Sequence, residues 1–229
     1  MRRFLFATLI VVGQSLPASA GPWTRAKGHG YSRVALAAED HAGLAATRAD
    51  VYLEYGLATG WTVSAKLNDV RFEAAADSYD DRSWRIGLRR SVLSWAGVVG
   101  TIEGGLVKEA STLVGRACNR PGAEVRAALG WSGRIAERDG YMFAEVAGQS
   151  QAACRGQRAE LGVGQNIAED FWLVNQVWIA RGSHGQWSDK VQTELMWRRP
   201  WGDLAIGYQR EISGRFEEAS ILLSLARTF

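Results

Sequence analysis

The sequence predicts an all-β fold: one antiparallel β-barrel that crosses a membrane with about twelve strands, ten being the smaller alternative. Three observations predict it. Apolar and polar side chains alternate with period 2 through a series of segments at nearly even spacing, as strands require. The first twenty residues read as an export signal. No later stretch approaches the ~20 apolar residues that a transmembrane helix needs.

Taken in order, Met1, Arg2 and Arg3 are a basic start, residues 4–12 an apolar run, and Ala18, Ser19 and Ala20 ahead of Gly21 a small-x-small cleavage site. These are the parts of a secretory signal peptide. The expected organisation is a signal at 1–20 and one domain at 21–229, since no linker or charge block divides the rest. Cleavage would remove Arg2 and Arg3 and no acid, taking the formal charge from +3 to +1. Such a balance gives no support to a nucleic-acid surface, and no nucleic-acid partner is expected.

The candidate strands are 28–38, 49–58, 61–72, 82–92, 97–109, 122–133, 141–149, 157–167, 171–181, 186–198, 203–212 and 216–229. The first carries Val34 and Leu36 on one parity, the second Val51, Leu53, Tyr55 and Leu57, the third Trp61, Val63, Ala65 and Leu67, and the fourth Trp84, Ile86 and Leu88. Val98, Ile102 and Leu106 mark the fifth, and Val125, Ala127, Leu129 and Trp131 the sixth. The seventh is irregular, with Tyr141 and Phe143 on its polar parity; the eighth shows Leu161 and Val163; the ninth is apolar on both parities. Val191, Leu195 and Trp197 define the tenth, and Leu204, Ile206 and Tyr208 the eleventh. Asp69 and Arg71 interrupt the greasy parity of the third, where a bulge is one explanation.

Short connections are expected at Thr59-Gly60, at 94–96, 137–139, 169–170 and 200–202. Longer loops are expected on the other side at 40–48, 73–81 and 110–121, with shorter ones near Cys154, His184 and Gly214. An even strand count puts both termini on one side. Cys118 and Cys154, the only cysteines, then share a rim, and an even number in an exported chain favours a disulfide between them. Neither a CxxC motif nor a Cys/His cluster is present, so no redox motif, metal site or cofactor is expected.

The last strand has Ala219, Ile221, Leu223, Leu225 and the terminal Phe229 on one parity, and Ser220, Ser224, Ala226 and Thr228 on the other, with Leu222 the large exception. This ending resembles the C-terminal signature of bacterial outer-membrane β-barrel proteins, in which a final strand closes on a terminal Phe. Arg227 departs from it, because the family places an apolar residue there; a long cation at a membrane surface can snorkel. The resemblance implies an outer-membrane location, outer-membrane lipid as surroundings, and recognition of the C-terminal strand by the barrel-insertion machinery.

Opposite the greasy parity lie Glu54, Lys66, Arg85, Arg89, Glu103, Arg126, Glu145, Arg158, Glu160, Glu194 and Glu211. In a membrane barrel these line the lumen; in a soluble periplasmic lipid carrier the polarity reverses. Aromatic placement favours the membrane: Trp61, Trp95, Trp131, Trp172, Trp197, Trp201 and Phe229 fall at or next to the short-turn ends, as an interfacial girdle requires. Twelve strands imply a narrow or plugged pore, and the expected function is a channel for small polar or charged solutes. The alternatives are a structural or adhesive barrel acting through its loops, and a lipid-modifying enzyme. For the enzyme, the one suggestive cluster is His184 with Ser183, Ser188 and Asp189; no residue is assigned as catalytic.

Overall fold

A computed structural model describes residues 21–73, 81–108, 120–151, 154–183, 186–214 and 217–229. Among them twelve strands form a closed antiparallel barrel. They are β1 (Gly30–His41), β2 (Leu44–Ala58), β3 (Trp61–Phe72), β4 (Asp81–Trp95), β5 (Val98–Lys108) and β6 (Gly122–Ile135), followed by β7 (Arg138–Gln151), β8 (Cys154–Ala168), β9 (Phe171–Gly182), β10 (Gln186–Arg199), β11 (Gly202–Gly214) and β12 (Glu218–Thr228). Each strand pairs with its sequence neighbours, and β12 returns to β1 with Leu36 opposite Leu223. At the seam, Gly30 N donates to Phe229 O at 2.7 Å and Phe229 N to Gly30 O at 3.0 Å. Closure leaves no strand edge unpaired, which is the condition for backbone to cross hydrocarbon.

The greasy parity faces outward. Leu53 is 46% exposed, Ile206 50% and Leu223 62%, while Glu54, Arg89, Glu103 and Glu194 are buried inside. An apolar exterior around a charged interior is the polarity of a membrane barrel and the reverse of a soluble lipid carrier. No helix among the described residues is long and apolar enough to cross a membrane; the crossing is made by strands.

Several boundaries differ from the sequence expectation. The 40–48 segment is not a long loop: β1 and β2 continue through it and meet at Ala42 and Gly43, whose φ values of 53° and 89° make a two-residue primed turn. Gly43 N donates to Asp40 Oδ1 at 2.9 Å across the turn. Polar residues there, such as Asp40 and Arg48, look like loop in the sequence because strands that outrun the apolar band keep pairing without a greasy face. Two connecting segments, 74–80 and 109–119, lie outside the described residues, as do Cys118 and His184.

Asp69 and Arg71 do face outward, and β3 pairs through them with no register shift, so a bulge is not the explanation. They sit at the end of β3 away from the chain termini, where Arg71 Nε and Arg82 Nε reach Asp69 at 3.0 and 3.1 Å. Outward charge is tolerated there because strand ends lie at the level of polar headgroups rather than acyl chains.

The girdle also needs one correction. Trp61, Trp131 and Trp197 lie on the outward parity at the terminal end, with Arg90 Cζ 4.9 Å from the Trp61 ring; Trp95 and Trp201 are exposed at the turns, and Phe229 closes the chain. Trp172 instead faces the lumen, opposite buried Met196. Its neighbour Phe171 occupies the outward place and stacks on Trp197 at 6.4 Å. Because parity flips at every residue, a one-position choice exchanges a girdle residue for a lumenal one.

Candidate functional site

The candidate site is the lumen. Tyr31, Arg33 and Glu39 on β1 share the inward parity, as do Arg48, Asp50, Tyr52 and Glu54 on β2, Ser64 and Lys66 on β3, and Arg85 and Arg89 on β4. The eleven sequence-identified lumenal residues all project from this inner face: Glu54, Lys66, Arg85, Arg89, Glu103, Arg126, Glu145, Arg158, Glu160, Glu194 and Glu211. Sequence reading did not single out Arg33, Glu39, Arg48, Asp50, Glu124, Lys190 or Glu218. Three of these, Glu39, Arg48 and Glu218, lie near strand ends that resemble loop, and the others have the same period-2 signal as the residues that were identified.

The inner charges are paired across strands. Arg33 Nη2 donates to Glu194 Oε1 at 2.7 Å on the far side of the β12–β1 seam. Arg89 is the most heavily engaged: its Nε reaches Glu103 Oε2 at 2.8 Å and its Nη1 reaches Glu54 Oε1 at 2.8 Å. Ser64 Oγ donates to the other Glu103 oxygen at 3.0 Å, and Tyr52 OH to Glu54 Oε1 at 2.5 Å. Arg126 joins Glu145 at 2.6 Å and also donates to Glu124, which lies 3.8 Å from Arg85. Toward the far end, Arg48 meets Glu39 at 3.0 Å and Asp50 at 3.2 Å, and Lys190 pairs with Glu218. Such pairs satisfy desolvated charges and tie the wall together.

Between these pairs lies a cavity of about 440 Å³. Its wall carries eight cationic side chains, Arg33, Arg48, Lys66, Arg85, Arg89, Arg126, Arg158 and Lys190, against three acidic ones, Asp50, Glu145 and Glu160. The remaining inner acids, including Glu54, Glu103, Glu124 and Glu194, are buried and do not line the cavity. Lys66, 4.0 Å from Asp50, keeps 45% of its side chain exposed. The side chains that line this space are therefore mostly cationic, although lumenal charge as a whole is close to balance.

Below the cavity, at the terminal end, one side of the lumen is apolar. Trp23, Tyr141, Phe143, Val174, Met196 and Ala205 form one buried cluster, with Trp172 packed against it. This accounts for Tyr141 and Phe143 on a polar parity, and for the ninth strand being apolar on both. Phe143 lies over Gly162 and Tyr141 over Gly164, where an added Cβ would come within 2.2 and 2.3 Å of the rings. Leu222, the large exception in the last strand, likewise faces inward and is buried beside Gly207.

The residues around His184 do not converge. Ser188 faces inward and donates to Glu211 Oε1 at 2.5 Å, whereas Asp189 faces outward and binds Arg181. No cluster of three or more metal-ligating side chains occurs among the described residues.

No protein-family model and no curated protein sequence matches this chain. Solved structures do match in fold. A NanC porin superposes with a TM-score of 0.60 at 11% identity, covering 85% of this chain and 98% of that one. A KdgM porin in complex with disordered oligogalacturonate gives 0.59 at 8% identity over 87% and 99%. The COG4313 outer membrane channel from Pseudomonas putida F1 gives 0.59 at 11% identity over 91% and 98%. The chain thus shares, along nearly its whole described length, the closed antiparallel barrel architecture of these porins and channels.

Proposed function

We propose that this protein is a bacterial outer-membrane channel that passes small anionic solutes. The observation that carries the reading is the cavity wall, where eight cations face three acids and the other inner acids do not line the cavity. Fixed cations in a narrow lumen favour anions through the electrostatic potential they create. The similar barrels are named as porins and outer-membrane channels, and one of them holds oligogalacturonate, a carboxylated sugar chain; both facts support the reading without assigning the solute. On this reading residues 1–20 are removed on export, both termini and the aromatic girdle lie on the periplasmic side, and the C-terminal strand engages the insertion machinery.

The test is ion selectivity in planar bilayers across a KCl gradient, with folding verified by heat-modifiable gel mobility. Wild-type protein is expected to prefer chloride, and Lys66→Glu to lose most of that preference, because Lys66 is the wall cation most exposed to the lumen. A cation-selective wild type, or a preference unmoved by Lys66→Glu, would overturn the reading.

We also infer the Cys118–Cys154 disulfide. Cys154 begins β8 next to the short β7–β8 connection, opposite Gln151, at the end where the 109–119 segment emerges. Non-reducing peptide mass spectrometry is expected to find one linked peptide pair. Reduction should lower stability by ~3–4 kcal/mol on the chain-entropy account; two free thiols in the exported protein would refute the link.

A barrel that acts through its far-end loops is the second reading. It is favoured by one observation: residues 21–26 lie inside the lumen.

A further inference from the structure

We propose that the segment at residues 21–26 is a plug that closes the terminal end of the lumen and limits conduction. The inference rests on the channel reading above and adds the element that controls it. After β1 begins at Gly30, the chain preceding it turns back into the barrel: His29 N donates to Ala26 O at 3.0 Å and Gly28 N to Gly56 O at 2.9 Å. From there the segment crosses to the opposite wall. Arg25 Nε holds Glu54 Oε2 on β2 at 2.6 Å, and Arg25 N donates to Thr62 Oγ1 on β3 at 2.7 Å. Trp23 meets Tyr141 on β7 edge to face, 5.7 Å between centroids. In a ring of twelve strands, β1 and β7 are diametrically opposed, so a segment touching β2 and β7 spans the lumen.

The contact is packed rather than incidental. Among the described residues, Pro22, Tyr31, Thr62 and Ser64 are the largest fully buried side chains. Pro22 belongs to the segment, Thr62 accepts from it, and Tyr31 lies 4.6 Å under the Arg25 guanidinium. Glycines make the room: a Cβ on Gly56 would lie 2.0 Å from Ala26 O, and one on Gly130 would lie 2.4 Å from Pro22 Cγ. Arg89 then clamps the segment from above, donating through Nη1 to Gly21 O at 2.9 Å and Trp23 O at 3.2 Å. Burying Trp and Pro in place of lumenal water favours the inserted state through the apolar area removed from solvent. The hydrogen bonds to Glu54, Thr62 and Arg89 set its position.

The test combines two readouts on the full-length protein, each variant first shown to fold by heat-modifiable mobility. One variant replaces Pro22, Trp23 and Arg25 together by Gly. Gly130→Leu is the second, which crowds the segment from the wall and leaves its sequence intact. Single-channel conductance in planar bilayers is expected to rise several-fold in both. The second readout does not depend on conduction: the rate at which a small methanethiosulfonate labels Thr62→Cys, a position wholly buried under Arg25, should rise by an order of magnitude when either change is added. Unchanged conductance and unchanged labelling in a folded variant would overturn the plug and leave a conducting wild type as a channel. Faster labelling without conductance in any form would support the plug and overturn the channel reading.

Discussion

Replacing Arg89 by methionine is expected to destabilise the folded barrel by ~3–5 kcal/mol, the range for removing one partner of a buried ion pair. Arg89 is 4% exposed and lies between Glu54 and Glu103, themselves 2% and 4% exposed. Without the guanidinium both carboxylates stay desolvated beside each other with Ser64, Tyr52 and Arg25 as the remaining partners. Leaving an unpaired charge costs more than the pair itself was worth, because the desolvation is no longer offset. The same change frees the carbonyls of Gly21 and Trp23, so it should also loosen the crossing segment. Urea unfolding in lipid vesicles, followed by tryptophan fluorescence, reads the loss directly. Adding Glu103→Gln to Arg89→Met should recover part of it, since a neutral amide removes the carboxylate left without a cation while Glu54 keeps Arg25. A loss below ~1 kcal/mol would mean that water entering the lumen solvates both carboxylates as well as Arg89 does.

Ile206→Arg and Leu53→Arg are the second pair of large expected effects, each costing ~2–4 kcal/mol near the bilayer midplane. Both side chains point outward in mid-strand, Ile206 between Leu195 and Leu223 and Leu53 between Ser32 and Ala65. A cation there has no acid across either neighbouring strand and must either sit in hydrocarbon or distort the bilayer to reach water. Folding yield into vesicles should fall and the unfolding midpoint should drop. Stability unchanged by both substitutions would place this face away from lipid and return the soluble carrier to consideration. The contrast with Asp69, Arg71 and Arg82 is instructive, because those outward charges stand at strand ends and carry their own partners.

Much of this was legible in the residues. All twelve strands were legible, most of them by period-2 alternation, and the third appeared with its observed bounds, Trp61–Phe72. Errors gathered where strands outrun the membrane, as at 40–48, since a strand without a greasy face differs little from a polar loop. Eleven of the inward charged residues were legible by parity alone, because lumenal and lipid-facing sides must differ in polarity. Parity also flagged Tyr141, Phe143 and the ninth strand as anomalies. It could not explain them, because it describes one strand at a time.

The sequence by itself determined the class of fold, an approximate strand count and the faces of most strands, since each is a local consequence of side-chain alternation against hydrocarbon. Only the tertiary structure decided which inner groups meet. Closing twelve tilted strands into a ring brings Arg33 against Glu194 and Trp23 against Tyr141, pairs separated by more than a hundred residues. Strand tilt and stagger set which inward residues stand at one height, and no local pattern encodes that. The segment at 21–26 is the extreme case: it has no periodicity of its own, and its place inside the barrel follows from the size of the lumen, the glycines that make room for it and the arginine that holds it.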